Sequence, residues 1–384
     1  MSASPRHAVA ADAVFDGAEL RHDCAVIIEG ARIAALVARN DVPKDVPLRR
    51  MPDGVWLAPG FIDVQVNGGG DVLFNDAPTK ETIATIAAAH RRFGTTSLLP
   101  TLISDSDEKM ARAVGAVRDA MQTAPGVLGI HLEGPFLSPE KGGVHDVPTL
   151  RAPEARHLDL ITSLKTGVTL VTCAPERVPA GFIRSLHDRG IIVSLGHSMA
   201  TYEETKRAIS DGLTGFTHLF NAMRPLGARD PGPIAAALES LGCFYGLIID
   251  GEHVAPPMLK LALVGAGSPM LVTDAMPPVG GTRQTFTLYG EDIRVVSGRC
   301  VTKDGTLAGS AIDMATAVRN CVRLVGAKLT DALTYASLNP ARFLRLDKRL
   351  GHLASNYRAD MVALNPDNVR VLGTWVAGEY QVSR

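Results

Sequence analysis

From Phe61 onward the chain alternates short apolar runs with longer segments whose apolar residues recur at helical spacing. The runs are FIDVQV at 61–66, SLLPT at 97–101, LGIHLE at 128–133, LVTCAP at 170–175, IIVSLGH at 191–197, GFTHLF at 215–220, FYGLIID at 244–250 and MLVTDA at 270–275. Short and nearly continuous in apolar character, they suit strands buried on both faces. The segments between them read as amphipathic helices. In KETIATIAAAHRRFG, for example, the preceding Thr79 can cap the start and Gly94 can end it. Strands alternating with helices predict parallel βαβ units, and eight such strands predict a (β/α)8 barrel of the TIM type, a mixed α/β fold.

The two chain ends follow a different rule. CAVIIEGARIAALVA near the start and MVALNPDNVRVLGTWVAGEYQVS from about Ala359 are rich in β-branched residues at alternating positions. They predict one small β-sandwich made discontinuous by the barrel: its first part at 1–57, the barrel at 58–350 and its second part at 351–384. After the eighth run, VGGTRQTFTLYGEDIRVVSGRCVTKDGTLAGS predicts a β-hairpin insertion beside the barrel's C-terminal face, before helices resume in 311–326 and 330–344. A barrel of roughly 250 residues plus a small companion accounts for the 384 residues.

Charge narrows the partners. With 39 basic and 40 acidic side chains the chain lacks the electrostatic footprint of a nucleic-acid binder or of a protein held on an anionic membrane. Any anion recognition must therefore be local, and a small molecule is the expected partner. The five cysteines are scattered, without a CxxC pair, and read as reduced thiols. The stretch MSASPRHAVAADAVFDG has acidic residues and no continuous apolar core, so it does not read as a secretory signal, and a cytoplasmic location is expected.

Candidate chemistry is a matter of position. Glu133, His197, His218, His253 and Asp274 each fall at or just beyond the C-terminal end of a predicted strand. In a barrel those ends share one face, and buried acids and imidazoles there are costly unless paired or metal-bound. Glu133, His197 and His218 supply one carboxylate and two imidazoles, a set that suits zinc or another first-row divalent ion such as Fe2+, Co2+ or Mn2+ and leaves a coordination position open. Such an ion acidifies water and polarises a carbonyl oxygen, as amide hydrolysis requires. Asp274, in LVTDAMPP, is then placed to move a proton; its bland alternative is a cap before the turn at Pro277 and Pro278.

The strings PGFIDVQVNG, HLEGPF, GHS, THLFNAM, DGEHV, VTDAM and LAGS, in this order across 59–310, resemble those of N-acetylglucosamine-6-phosphate deacetylases of the amidohydrolase superfamily. The resemblance implies deacetylation of an amino-sugar phosphate, metal ligation by Glu133, His197 and His218, and Asp274 as general base and acid. It further implies a substrate pocket lined by Val144 and His145 in KGGVHD, Asn221 and Ala222 in FNAM, Arg229, His253, and Leu307, Ala308 and Gly309. A homodimer is implied as well, with Arg229 reaching the neighbouring protomer's substrate. Arg229, His253 and the backbone amides of Asn221 and Ala222 can all donate to a phosphate dianion.

One departure matters. Many superfamily members carry His-x-His on the first strand to hold a second metal, whereas this chain has Gln65 and Asn67. Amides are poor zinc ligands beside imidazole, so one divalent ion per chain is expected, with Gln65 orienting water or substrate. Two alternatives remain: a deacetylase of N-acetylgalactosamine 6-phosphate or another acylated amine, and an inert sugar-phosphate-binding scaffold. The scaffold should have lost a ligand or the Asp, and this sequence keeps all four.

Overall fold

The computed structural model describes residues 6–296 and 298–383. Eight parallel strands form one sheet in chain order: β1 Phe61–Val66, β2 Thr95–Ile103, β3 Gly129–Glu133, β4 Val168–Cys173, β5 Ile192–Leu195, β6 Gly215–Phe216, β7 Phe244–Leu247 and β8 Ser268–Leu271. Each of the eight predicted runs overlaps one of them, and the strands Thr95–Ile103, Val168–Cys173 and Ser268–Leu271 start two residues before their runs. The sixth run was expected to extend to 220, yet its strand stops at Phe216. Beyond it His218 and Phe220 take left-handed backbone, at φ 32° and 79°, so the chain turns across the barrel mouth instead of continuing. The seventh run likewise leaves the sheet at Leu247, before Asp250 and His253.

The sheet closes through a seam of backbone and side-chain hydrogen bonds. Strand β8 has no ladder with β1, but the segment after it bridges from Ala275 to Val66, and the Asp274 N–H donates to the Gln65 carbonyl at 3.0 Å. The Thr273 hydroxyl donates to Asp63 Oδ2 at 2.6 Å, and the Thr273 N–H to Asp63 Oδ1 at 3.3 Å. Burial pushes the Asp63 carboxyl up to about 7, against the pull of these donors. Thr273→Val, which keeps the shape and removes the hydroxyl, is expected to cost about 1–3 kcal/mol, the usual penalty for a buried acid deprived of a partner. Urea unfolding at neutral pH measures it, and unchanged stability would mean that this bond does not hold the seam.

Helices cover the outside as the periodicity requires. The helix Lys80–Arg91 is capped by Thr79, whose hydroxyl accepts from the Thr82 N–H, and buries Ile83, Ile86 and Ala89. Gly94, at φ +92°, follows the helix end by three residues and lets the chain turn into β2.

The chain ends do pair. Met361–Leu364 runs antiparallel to Trp56–Pro59, with Met361 opposite Pro59 and Leu364 opposite Trp56, inside a six-stranded sheet. A four-stranded sheet, Arg32–Ala38, Cys24–Glu29, Arg6–Ala10 and Leu48–Arg50, packs on it. Val9, Val26, Ile28, Leu57, Met361 and Trp375 fill the space between them, all fully buried. The insertion after the eighth run is larger than a hairpin. It forms four antiparallel strands, Thr285–Leu288, Glu291–Val296, Arg299–Val301 and Leu307–Ser310, whose apolar face meets Leu73, Ile103 and Met276. Among the described residues no helix is long and apolar enough to cross a membrane.

Candidate active site

The C-terminal ends of the strands open into a cavity of about 360 Å³, and the candidate ligands sit at its floor. Glu133 ends β3, while His197 and His218 follow β5 and β6 by two residues each. Glu133 Oε1 lies 3.2 Å from His197 Nε2 and 3.0 Å from His218 Nε2, and the two Nε2 atoms are 3.0 Å apart. His197 Nδ1 sits 2.7 Å from the Lys141 carbonyl, which can only accept, so the proton is on Nδ1 and Nε2 turns a lone pair inward. Three electron-rich atoms this close, all buried, need a proton or a cation among them. One carboxylate oxygen and two imidazole nitrogens are the donors a catalytic zinc-type site uses, and they fit one divalent ion.

The electrostatics follow from that crowding. Burial alone would raise Glu133, but its contacts to His197 and His218 hold its carboxyl well below the usual range. Burial likewise works against a charged His218, and Glu133 overrides it and raises the imidazole.

Asp274 stands beside the trio, in the segment that closes the barrel seam. Its Oδ1 accepts from Asn67 Nδ2 at 2.7 Å and from Gln65 Nε2 at 3.1 Å. With Oδ1 doubly occupied, Oδ2 is the oxygen free to exchange a proton. Burial, reinforced by the charge on Glu133, pushes Asp274 up to about 6. Gly309, at φ +61°, permits this packing: a Cβ there would lie 2.6 Å from Met276 Cγ and 2.8 Å from the Asp274 carbonyl. His197, His218 and Asp274 themselves occupy left-handed backbone, at φ 48°, 32° and 51°. For residues with a side chain this costs on the order of 1–3 kcal/mol each, a strain that clusters where side-chain aim matters more than stability.

Most of the predicted pocket residues line the cavity: Val144, His145, Asn221, Ala222, His253, Leu307 and Gly309. Three do not. Gln65 lies beneath the floor, its amide donating to both Glu133 oxygens at 3.2 Å as well as to Asp274 at 3.1 Å. Ala308 is buried behind the wall, because alternate residues of its strand face the cavity. Arg229 is exposed on the 224–231 loop and is not part of the cavity wall; Arg224, paired with Asp230 at 2.6 Å, ties the two ends of that loop together.

Several lining or supporting residues were not singled out. Asp250 Oδ2 holds His253 Nδ1 at 2.6 Å, and the N–H groups of Glu252 and His253 donate to Asp250 Oδ1. Although burial opposes it, His253 and these donors keep the Asp250 carboxyl low. The DGEHV string carried this pair at i, i+3. The Ser104 N–H donates to His145 Nδ1 at 3.3 Å, which puts the His145 proton on Nε2 as a donor into the cavity. His145 stays neutral, its pKa pushed down to about 3 by burial and by nearby His197. Glu140, Lys141, Gly143, Ile103, Ile248, Met276 and Thr306 also line the wall, and only their place in the fold reveals them.

The Amidohydrolase family pattern matches residues 56–380. An N-acetylgalactosamine-6-phosphate deacetylase of Shewanella sp. is 41% identical, the match covering 95% of each chain. An N-acetylglucosamine-6-phosphate deacetylase of Haemophilus influenzae is 34% identical, over 96% of this chain and 97% of that one. The crystal structure of N-acetylglucosamine-6-phosphate deacetylase from Pasteurella multocida superposes with a TM-score of 0.95 at 34% identity, over 98% of this chain and 100% of that chain. With a strand-end Glu, His and His beside an Asp, on a barrel matched from end to end, this chain belongs to the amidohydrolase family.

Proposed function

We propose that the protein hydrolyses the acetamide of N-acetylglucosamine 6-phosphate, releasing acetate and glucosamine 6-phosphate. The convergence of Glu133, His197 and His218 with Asp274 at the floor of a cavity of sugar-phosphate size carries this reading. Relatives of this length and likeness that bear that activity support it. Glu133 Oε1, His197 Nε2 and His218 Nε2 hold one divalent ion, zinc being the best match to the donors. When bound, the ion polarises the acetyl carbonyl and acidifies water.

The chain's own groups do the rest. Asp274 Oδ2 takes the proton of the attacking water and returns it to the amine nitrogen as the C–N bond breaks. Gln65 and Asn67 keep that carboxylate aimed, and His145 Nε2–H donates to a substrate oxygen. At the far end, His253 and the amides of Asn221 and Ala222 receive the phosphate, whose binding energy positions the acetamide. Arg229, exposed on its loop, completes that end across a homodimer. The reaction belongs to cytoplasmic amino-sugar catabolism.

A second reading, N-acetylgalactosamine 6-phosphate as substrate, is favoured by the 41% identity to the Shewanella enzyme of that name. Acetate release from both sugar phosphates and from both unphosphorylated sugars separates the two. The gluco phosphate is expected to give the highest kcat/KM; a higher value for the galacto epimer selects the second reading, and no acetate from either phosphate overturns both. In the same assay Arg229→Ala is expected to lower kcat/KM about 10–100-fold for the phosphorylated sugar, as one or two charge-assisted hydrogen bonds are worth, and to leave the unphosphorylated sugar unchanged. Equal loss on both would make Arg229 structural.

A further inference from the structure

We propose a second binding site at the opposite end of the barrel, for a small phosphorylated molecule with an apolar body. The starts of β3, β4 and β5 meet the loop after the helix Leu338–Phe343 there, together with two turns of the sandwich, around a cavity of about 650 Å³. It is larger than the pocket above the Glu133 cluster and shares no residue with it.

Its wall carries four guanidinium groups, from Arg32, Arg345, Arg349 and Arg358, and no carboxylate side chain. Arg358 is already engaged: Nε donates to Asp360 Oδ2 at 2.9 Å, Nη2 to the Ser97 hydroxyl at 2.6 Å and Nη1 to the Pro125 carbonyl at 2.6 Å. Arg32 gives one N–H to the Asn356 carbonyl at 2.7 Å and keeps its charge uncompensated. The side chains of Arg345 and Arg349 have no hydrogen-bond or ion-pair partner among the described residues. Three unneutralised cations around one concavity, in a chain whose net charge is −1, do not reflect a generally basic surface. Concave walls focus such a field and attract an anion.

Arg345 follows the helix end at φ +59°, with the Leu346 N–H bonded back to the Ala341 carbonyl at 2.8 Å. This is the left-handed position after a helix where glycine is favoured because it has no Cβ. The turn at Arg345 brings its side chain to the cavity wall.

The floor sets the rest of the ligand. Met121, Leu128, Val168, Ile192, Leu344 and Leu350 supply apolar surface between the guanidinium groups. Two or three planar forks can share the three oxygens and double charge of one phosphate dianion, whereas a carboxylate offers two oxygens and one charge to the same cations. The site therefore suits a phosphate joined to an apolar or flat body.

Calorimetric titration of the full chain with phenyl phosphate, at constant ionic strength, tests this against the double variant Arg345→Ser/Arg349→Ser. Both side chains are exposed and unpartnered, so the variant should keep the Tm and the steady-state deacetylation of the parent. The expected result is a binding event in the parent that weakens at least about 10-fold in the variant, as loss of charge-assisted hydrogen bonds implies. Phenyl phosphate should also bind this site at least about 10-fold more tightly than inorganic phosphate or benzoate, the margin that burying its ring allows. Unchanged phenyl phosphate binding in the variant would overturn the site. Equal binding of inorganic phosphate would overturn the apolar body, and equal binding of benzoate the phosphate.

Discussion

Asp274→Asn is expected to lower turnover at least about 100-fold while divalent-ion content and substrate binding remain, because it removes proton transfer and keeps the shape. The structure sharpens why the amide is a fair replacement. Oδ1 of Asp274 accepts from both Asn67 and Gln65, so an asparagine here turns its own carbonyl oxygen toward those two donors. Its NH2 then takes the place of Oδ2, facing the cavity, where it can donate but cannot accept. The three candidate donors, Glu133, His197 and His218, are untouched. Steady-state kinetics, metal analysis and a binding measurement on the same preparation check the split between kcat and affinity. Near-normal turnover would reject Asp274 as the proton carrier, and loss of the ion would make its role structural.

How much of this was legible in the sequence depends on what each feature obeys. Barrel strands are short runs that are mostly apolar, and eight of them stood out because burial on both faces admits few polar residues, those such as Asp63 and Gln65 being hydrogen-bonded inside the barrel. The sandwich was legible from the β-branched residues of both chain ends, although its central strands are buried on both faces, Met361 and Ala363 inside the sandwich and Val362 and Leu364 against the barrel. Glu133, His197, His218 and Asp274 were found by position alone, as polar residues ending apolar runs.

What stayed hidden was set by backbone torsion and by distance along the chain. Nothing in GFTHLF announces that His218 and Phe220 turn left-handed and end the strand at Phe216. Whether a side chain faces the cavity or the layer below is decided by strand register, which is why Gln65 and Ala308 lie behind the wall. Arg229 shares its loop with Arg224, and only coordinates distinguish the cation paired with Asp230 from the one left exposed. The basic cavity at the far end was invisible for a related reason: its four arginines come from three separated segments, at 32, 345–349 and 358.

The departure at Gln65 and Asn67 leads to the last expected result, which concerns the ion itself. A second cation would need lone pairs on these two residues; both aim N–H groups at carboxylate oxygens, Gln65 at Glu133 and Asp274, Asn67 at Asp274, and the unpartnered Asn67 Oδ1 is a neutral amide oxygen, a poor ligand beside imidazole. Purified protein is therefore expected to saturate near one tightly held divalent ion per chain, and Glu133→Ala to lose it, since two imidazoles are too few for tight binding. Activity should fall below detection with it. Glu133→Gln is the stricter variant, because it fills the same space, keeps an oxygen near Gln65 and offers only a weak neutral donor to the ion. A readout apart from catalysis follows from linkage: an ion that binds only the folded chain raises its stability, so a chelator should lower the Tm of the parent and leave that of either variant unmoved. Metal analysis by mass spectrometry alongside the thermal scans decides it. Two equivalent tight ions per parent chain would overturn the mononuclear site, and a variant that keeps a full equivalent would remove Glu133 from the ligands.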